Sequence, residues 1–183
     1  MAATDRRASR RIYSGRVLNL DIDTVQFPDG SVGELEIIRH PGASAVIPLL
    51  DDPGAADPRI VLIRQYRYAA NGFVYEIPAG RLDAGETPEM CARRELEEEA
   101  GYRAANVTPL VSILTTPGFT DERIHLFVGW GLTRTDQRHE PDEFLTVVDL
   151  PLSQVLRMLA AGEIPDGKTA IAILFFASFA RQP

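Results

Sequence analysis

Residues 80–102 read G-R-L-D-A-G-E-T-P-E-M-C-A-R-R-E-L-E-E-E-A-G-Y, which is a turn region followed by an acidic, helix-forming run. Thr87 is a candidate N-cap, and Pro88 suits the first helical position because its missing N–H would be unpaired there in any case. Gly101 is a typical C-terminal stop. The sequence therefore predicts a helix over residues 88–100.

Helical spacing brings three carboxylates of this segment onto one face, namely Glu95, Glu98 and Glu99. A neighbouring stripe of Ala92, Leu96 and Ala100 can pack inward. Like charges at this spacing repel by a few tenths of a kcal/mol per pair, and the helix dipole favours cations in this half. A divalent cation would relieve both penalties, and oxygen ligands suit Mg²⁺ or Mn²⁺. A solvated acidic face is the alternative that this spacing leaves open.

The complete spacing decides between these alternatives. It resembles the Nudix box, G-x5-E-x7-R-E-U-x-E-E-x-G-U with U a bulky apolar residue, and every fixed position from Gly80 to Tyr102 is filled. Background residue frequencies give a chance match of roughly one in ten million for such a chain. The chain is therefore identified as resembling the Nudix hydrolases.

This resemblance implies a role for most charged residues of the box. It implies that Glu95, Glu98 and Glu99 bind the metal together with the carbonyl of Ala79, and Glu98 is also counted among the catalytic acids. It further implies that Glu86 and Arg94 brace the loop against the helix. The expected cofactor is Mg²⁺, with Mn²⁺ as a substitute.

Size and charge limit the remaining possibilities. The 183 residues, 45% of them hydrophobic, suffice for a single domain. A net charge of −7 argues against a general nucleic-acid binder. It does not exclude an anionic diphosphate substrate, because bound metals and a few arginines can reverse the charge locally.

Other features indicate a cytoplasmic protein that does not span a membrane. The single cysteine, Cys91, allows no disulfide within the chain and is interpreted as a packed residue rather than a catalytic thiol. Residues 1–11 carry four arginines and no apolar segment, so we expect a flexible basic arm and no secretory signal. The apolar run 169–180 is too short to cross a bilayer.

Strand and helix signals alternate along the rest of the chain. Strands are predicted at 12–27, 34–40, 45–50, 60–66, 73–77, 107–114, 123–130 and 144–150, and helices at 152–161 and from 167 onward. These elements predict an α/β fold, and the resemblance implies a Nudix-type α-β-α sandwich with a mixed sheet and an N-terminal antiparallel strand region. We expect one domain over 12–183, with strands at 12–40 that form a dimer and a Nudix core at 41–183.

Several segments outside the box resemble the ADP-ribose pyrophosphatases of the family. Pro117 lies sixteen residues after Gly101, a spacing similar to the mark of that group. The segments R-Q-Y-R at 64–67, Y-E-I-P-A-G at 75–80 and P-G-F-T-D-E at 117–122 are also similar. The resemblance implies a homodimer, because enzymes of this group commonly exchange N-terminal strands.

The same resemblance implies a general base in an acidic loop late in the domain. Glu143, just before the strand at 144–150, is the first candidate, and Glu140 and Asp142 are the alternatives. Pro141 interrupts this segment.

Four residues are candidates for substrate binding. Arg67 suits bidentate phosphate contacts and lies at a strand end near the box. Glu76 is predicted to hold a ribose hydroxyl or a metal-bound water. Arg39 and Phe27 are candidates for adenine or ribose contacts.

The expected function is metal-dependent hydrolysis of the diphosphate of ADP-ribose, or of a related nucleoside diphosphate sugar, to AMP and ribose 5-phosphate. A pyrophosphatase for GDP-mannose or another dinucleotide is the alternative of the same fold. A Nudix module that binds nucleotides without turnover is the alternative of another class.

Overall fold

The computed structural model describes residues 5–139 and 143–180 of the 183. The chain divides into two compact units, Met1–Gly42 with Leu114–Arg123 and Ala43–Ile113 with Ile124–Pro183.

The first unit contains a three-stranded antiparallel sheet in the order β1-β2-β3. Its strands are β1 (Arg6–Ser14), β2 (Asn19–Gln26) and β3 (Val32–Arg39). The single strand predicted over 12–27 is wrong, because the chain reverses between β1 and β2, where the Gly15 N–H donates to the Leu18 carbonyl at 3.0 Å.

The prediction of a flexible arm is also wrong for residues 6–11, which belong to β1 and pair with β2. Polar contacts rather than apolar alternation mark this strand: Ser9 donates to Asp23 at 2.7 Å, and Arg11 bonds Asp21. Both aspartates are buried. A pattern of apolar residues could not reveal a strand that is held by charge pairs.

The second unit contains two sheets. The first has the order β10-β5-β6, built from β5 (Arg59–Arg67), β6 (Gly72–Glu76) and β10 (Leu145–Pro151). The second has the order β7-β4-β9-β8, built from β4 (Ala43–Pro48), β7 (Ala79–Arg81), β8 (Tyr102–Leu114) and β9 (Arg123–Arg134). Because β4 runs parallel to β9 and antiparallel to β7, the second sheet is mixed.

Three helices complete this unit: α1 (Pro88–Ala100), α2 (Leu152–Ala160) and α3 (Gly167–Phe175), the last continued by one π-helical turn, Phe176–Ala180. The predicted bounds of α1 are confirmed. The Thr87 hydroxyl accepts from the Met90 N–H at 3.3 Å, and Gly101 ends the helix at a φ of 69°, which glycine adopts without strain.

The strands lie between α1 on one side and α2 and α3 on the other. Val46 of β4 packs with Ala92 and Leu96 of α1, whereas Ile47 packs with residues of α2 and α3. Side chains alternate between the two faces of a strand, so each face has its own core. The α/β fold class is confirmed, and this unit has α-β-α layers. No helix in the described part of the chain is long and apolar enough to cross a membrane.

Candidate active site

Arg94 joins the loop after β7 to the acidic helix. Its guanidinium donates to both Glu86 oxygens at 2.9 Å and to the Arg81 carbonyl at 3.0 Å. It also donates to Glu95 at 2.6 Å and to Glu98 at 3.2 Å. The Arg94 guanidinium lowers the pKa of Glu86 to about 2. These contacts are those expected of a brace between loop and helix.

Glycine at position 80 makes room for the Glu95 carboxylate. A Cβ atom built on Gly80 would lie 1.8 Å from Oε1 of Glu95, so a larger residue there requires this carboxylate to move. The backbone of β7 and the Glu95 carboxylate therefore lie in direct contact because position 80 is glycine.

Cys91 lies beneath the same loop. Its Sγ is 3.4 Å from the carbonyl oxygens of Gly80 and Arg81, and burial raises the pKa of the thiol to about 12. A thiol that stays protonated is a poor nucleophile, which supports its interpretation as a packed residue.

Two carboxylates of the helix are buried, and only Glu95 of the two is bonded by Arg94 among the contacts described. Glu99 is 2% exposed and accepts from the Ala79 N–H at 2.9 Å, and Glu95 is 8% exposed. Burial raises the pKa of Glu95 to about 7 and that of Glu99 to about 8. The Glu95 charge adds to the rise at Glu99. Both groups are thus poised to lose their protons when a cation binds.

Glu143 lies two residues before β10, and the pairing with β5 continues toward it because the Tyr66 N–H donates to the Phe144 carbonyl at 2.9 Å. In β10, Leu145 pairs with Gln65 and Val147 with Ile63 of β5. Val147 packs against the core cluster that contains the buried face of α1. Because residues two apart share a face of an extended chain, Glu143 continues the row of Leu145 and Val147.

Electrostatics agree with this position. The negative charge of Glu143 contributes to the raised pKa of both Glu95 and Glu99, as expected of a nearby carboxylate. Glu140 and Asp142 lie outside the described residues. The choice of Glu143 as the base stays a prediction.

The segment before this loop is fixed to the C-terminus of α1. Gln137 Nε2 donates to the Glu99 carbonyl at 2.6 Å, and the Arg138 N–H donates to the Glu98 carbonyl at 2.9 Å. These contacts satisfy carbonyl groups that a helix end leaves unpaired. Sequence reasoning missed them because ordinary polar residues of a loop carry no pattern that reveals such caps.

Arg67 and Glu76, both predicted to bind substrate, bond each other. Arg67 donates to the two Glu76 oxygens at 2.8 and 2.9 Å. Burial alone would raise the pKa of Glu76, but Arg67 and Lys168 together lower it. Glu99 helps to raise the pKa of Arg67, so this cation lies within electrostatic reach of the acidic helix. Lys168 was not predicted, since it is 92 residues from its partner Glu76.

The other two substrate candidates, Arg39 and Phe27, belong to the first unit. Arg39 donates to Asp121 at 3.1 Å and to Asp21 at 3.2 Å, and it also bonds Asp23. Their roles in substrate binding stay predictions.

The donor set at the acidic helix fits a hard divalent cation. The candidate ligands, Ala79, Glu95, Glu98 and Glu99, offer oxygen atoms only, and the two buried acids have raised pKa values. Across residues 5–139 and 143–180, however, no three acidic, histidine or cysteine side chains converge closely enough to enclose one ion. Arg94 holds Glu95 and Glu98 instead, so binding a cation requires these side chains to reorient.

Comparisons with known proteins identify the class. The family model described as the NUDIX domain matches residues 39–170. The chain therefore belongs to the Nudix family, as the sequence resemblance predicted, and it is a Nudix hydrolase. Enzymes of this family generally use a divalent metal.

Two relatives and one solved structure are similar over nearly the whole chain. The methanol dehydrogenase activator of Bacillus methanolicus is 41% identical, with 91% of this chain and 89% of the relative covered. The ADP-ribose pyrophosphatase of Bacillus subtilis strain 168 is 38% identical, with 92% and 89% covered. The crystal structure of an ADP compounds hydrolase matches with a TM-score of 0.83 at 20% identity, covering 99% of this chain and 96% of the other, which supports the fold.

The raised pKa values predict how the metal-free protein responds to pH. Folded Glu95 and Glu99, with pKa values of about 7 and 8, keep protons that the unfolded chain releases near pH 4.5. The folded state therefore binds more protons across this interval, and stability should fall as the pH rises from about 5 to about 8. Thermal unfolding in a chelator at a series of pH values measures this.

Two comparisons sharpen the test. Glu99→Gln should make the thermal midpoint depend less on pH. Glu163→Gln, at an exposed site, should leave this pH dependence as in the wild type. Added Mg²⁺ should stabilise the wild type more at pH 8 than at pH 6, because its ligands must be deprotonated. A metal-free protein whose midpoint is constant from pH 5 to 8 would contradict the assignment of these buried acids.

Proposed function

We propose that this chain is a Mg²⁺-dependent pyrophosphatase that hydrolyses ADP-ribose, or a related nucleoside diphosphate sugar, to AMP and the sugar phosphate. The observation that supports it most is the pair of buried carboxylates, Glu95 and Glu99, against the 79–80 loop with Glu143 within electrostatic reach. The similarity to a protein named ADP-ribose pyrophosphatase supports the substrate.

Each part of the site has a task in this proposal. Glu95, Glu98, Glu99 and the Ala79 carbonyl hold the metal. A divalent metal held there would supply positive charge opposite the diphosphate and would acidify a water near neutral pH. Glu143 takes the proton from the attacking water, as a general base within reach of it must. Arg67 binds a phosphate oxygen, for which a planar guanidinium is well suited.

The contact of Glu76 with a ribose hydroxyl or a metal-bound water stays a prediction, and the structure adds a second part for this residue. Since its carboxylate is 2% exposed and bonded by two cations, it acts on the substrate mainly by controlling Arg67. Arg39 and Phe27 are kept as candidates for adenine or ribose contacts. Glu140 and Asp142 are kept as alternatives for the base.

The wider proposal concerns the molecule as a whole. It is a cytoplasmic homodimer with one Nudix domain, which comprises residues 12–183 and also residues 6–11 of β1. Mg²⁺ is the preferred ion because the donor set is oxygen only, and Mn²⁺ can replace it. GDP-mannose is the alternative substrate. Hydrolysis of either substrate would use the same metal site.

The substrate is tested directly with a panel of compounds. Purified protein with Mg²⁺ is incubated with ADP-ribose, GDP-mannose, UDP-glucose, diadenosine phosphates, NADH and coenzyme A, and the products are separated by chromatography. AMP and ribose 5-phosphate from ADP-ribose, formed fastest in the panel, is the expected result. A preference for GDP-mannose would refute ADP-ribose as the substrate. The absence of turnover for every compound would refute the proposal that the chain is a pyrophosphatase.

Two glutamine variants separate metal binding from proton transfer. Glu99→Gln should lower turnover at least about a hundredfold and weaken Mn²⁺ binding, because a ligand is lost. Glu143→Gln should lower turnover by about a hundredfold or more with Mn²⁺ binding retained, because only the base is lost. Turnover is followed by AMP formation, separated by chromatography, and Mn²⁺ binding is measured by calorimetry. Exposed Glu163→Gln is the control and should match the wild type in both measurements.

These variants can also overturn the assignments. A fully active Glu99→Gln protein would show that this residue is not a ligand. An unchanged rate for Glu143→Gln would move the base to Glu140, Asp142 or another group.

The dimer proposal rests on strand β1. All nine of its residues are exposed, and it forms an edge of its three-stranded sheet. Exposed apolar side chains, Ile12 at 45% and Tyr13 at 56%, lie on this strand. A long exposed edge is a common site of pairing with another chain. Light scattering at micromolar concentration should give about twice 20.2 kDa, and a species of 20.2 kDa would contradict the dimer.

A further inference from the structure

One buried carboxylate in the second unit is shared by two cations of different exposure. Glu76, 2% exposed, accepts from Arg67 at 2.8 and 2.9 Å and from Lys168 Nζ at 2.5 Å. The Arg67 side chain is 42% exposed, whereas that of Lys168 is 13% exposed. The arginine can therefore be reached by a ligand in solution, and the lysine is nearly enclosed.

Lys168 is fixed in place by the start of α3. Asp166 caps this helix by accepting from the Thr169 N–H at 3.0 Å, and it also accepts from Lys168 at 3.0 Å. The Thr169 hydroxyl accepts from the Ile77 N–H at 2.9 Å, which ties the helix to the chain just after Glu76.

The position of Lys168 does not stabilise helix α3. Lys168 lies in the first turn of α3, where the helix dipole disfavours a cation. Its contacts with Glu76 and Asp166 account for it instead. Lys168 is thus a fixed cation whose main partner is the Glu76 carboxylate of strand β6.

This arrangement decides what happens when Arg67 leaves Glu76. To bind a phosphate oxygen in bidentate fashion, Arg67 must give up its bidentate contact with Glu76. A buried carboxylate that loses its last cation is strongly unfavourable. With Lys168 still bonded, Glu76 keeps one cation when Arg67 turns to a ligand.

We propose that Lys168 is a positioning residue that retains the Glu76 carboxylate and thereby lets Arg67 exchange that carboxylate for a phosphate oxygen of the diphosphate substrate. The inference rests on the proposed function, in which Arg67 binds the diphosphate. Lys168 itself does not touch the substrate. Its effect is on substrate affinity and not on the chemical step.

Substitution of the lysine tests this with a binding measurement and a kinetic one. In Lys168→Met, Arg67 is the cation left to Glu76, so the KM for ADP-ribose and the Kd for ADP with Mg²⁺ should both rise at least tenfold. The kcat should change less than threefold. Lys168→Arg, which keeps the charge, should recover most of the affinity. Should Lys168→Met not fold by circular dichroism, Lys168→Gln replaces it.

A double-mutant cycle shows whether Lys168 acts through Glu76. In a Glu76→Gln background, position 76 no longer needs a cation, so adding Lys168→Met should change the Kd for ADP less than threefold. An equal loss of affinity in both backgrounds would show that Lys168 acts on the ligand directly or only on the fold, and would overturn the inference. An unchanged Kd and KM in Lys168→Met alone would overturn it as well.

The wild-type protein separates this inference from the proposed function. If the wild type hydrolyses no compound of the panel, the proposed function is wrong, while the ADP titrations still decide the role of Lys168. If the wild type hydrolyses ADP-ribose and Lys168→Met behaves like it, only the inference is wrong.

Discussion

The candidate active site depends on the hydrogen bonds of one residue, Arg94. One guanidinium bonds Glu86 and the Arg81 carbonyl on the loop and Glu95 and Glu98 on the helix. Strand β7, which carries Ala79 and Gly80, is attached to α1 a second time by the Ala79 N–H, which donates to Glu99 at 2.9 Å. Since a side chain at position 80 would displace the Glu95 carboxylate, the glycine leaves that carboxylate in contact with the backbone of β7.

The same arrangement concentrates negative charge where it is poorly solvated. Glu95 and Glu99 are buried, and Glu143 adds its field to both. A fold that only had to be stable would gain by replacing such acids with apolar residues. The raised pKa values show that the charged forms of these acids are disfavoured, and a divalent cation would supply the missing positive charge.

The sequence predicted this helix to the residue because its signals are local. Thr87, Pro88 and Gly101 cap the helix whatever the rest of the chain does, and the spacing of the box acids is fixed by the helical repeat. The fold class followed from alternating strands and helices. What failed was non-local: β1 is held by pairs between its arginines and the aspartates of β2, which no periodicity of apolar residues reveals.

Side-chain partners were the other limit. Arg67 and Glu76 were both recognised as functional candidates, but a sequence cannot show that they bond each other, nor that Lys168 joins them from 92 residues away.

Arg94 and Lys168 have a similar part in the site. When a ligand displaces one ion pair, the charged side chain that loses its partner needs a second ion pair that remains. In the proposed function, Arg94 would keep Glu86 when a metal takes Glu95 and Glu98, and Glu76 would keep Lys168 when a phosphate takes Arg67. Binding would then replace contacts without leaving a buried charge alone, so that an acidic site could accept both a cation and an anionic diphosphate.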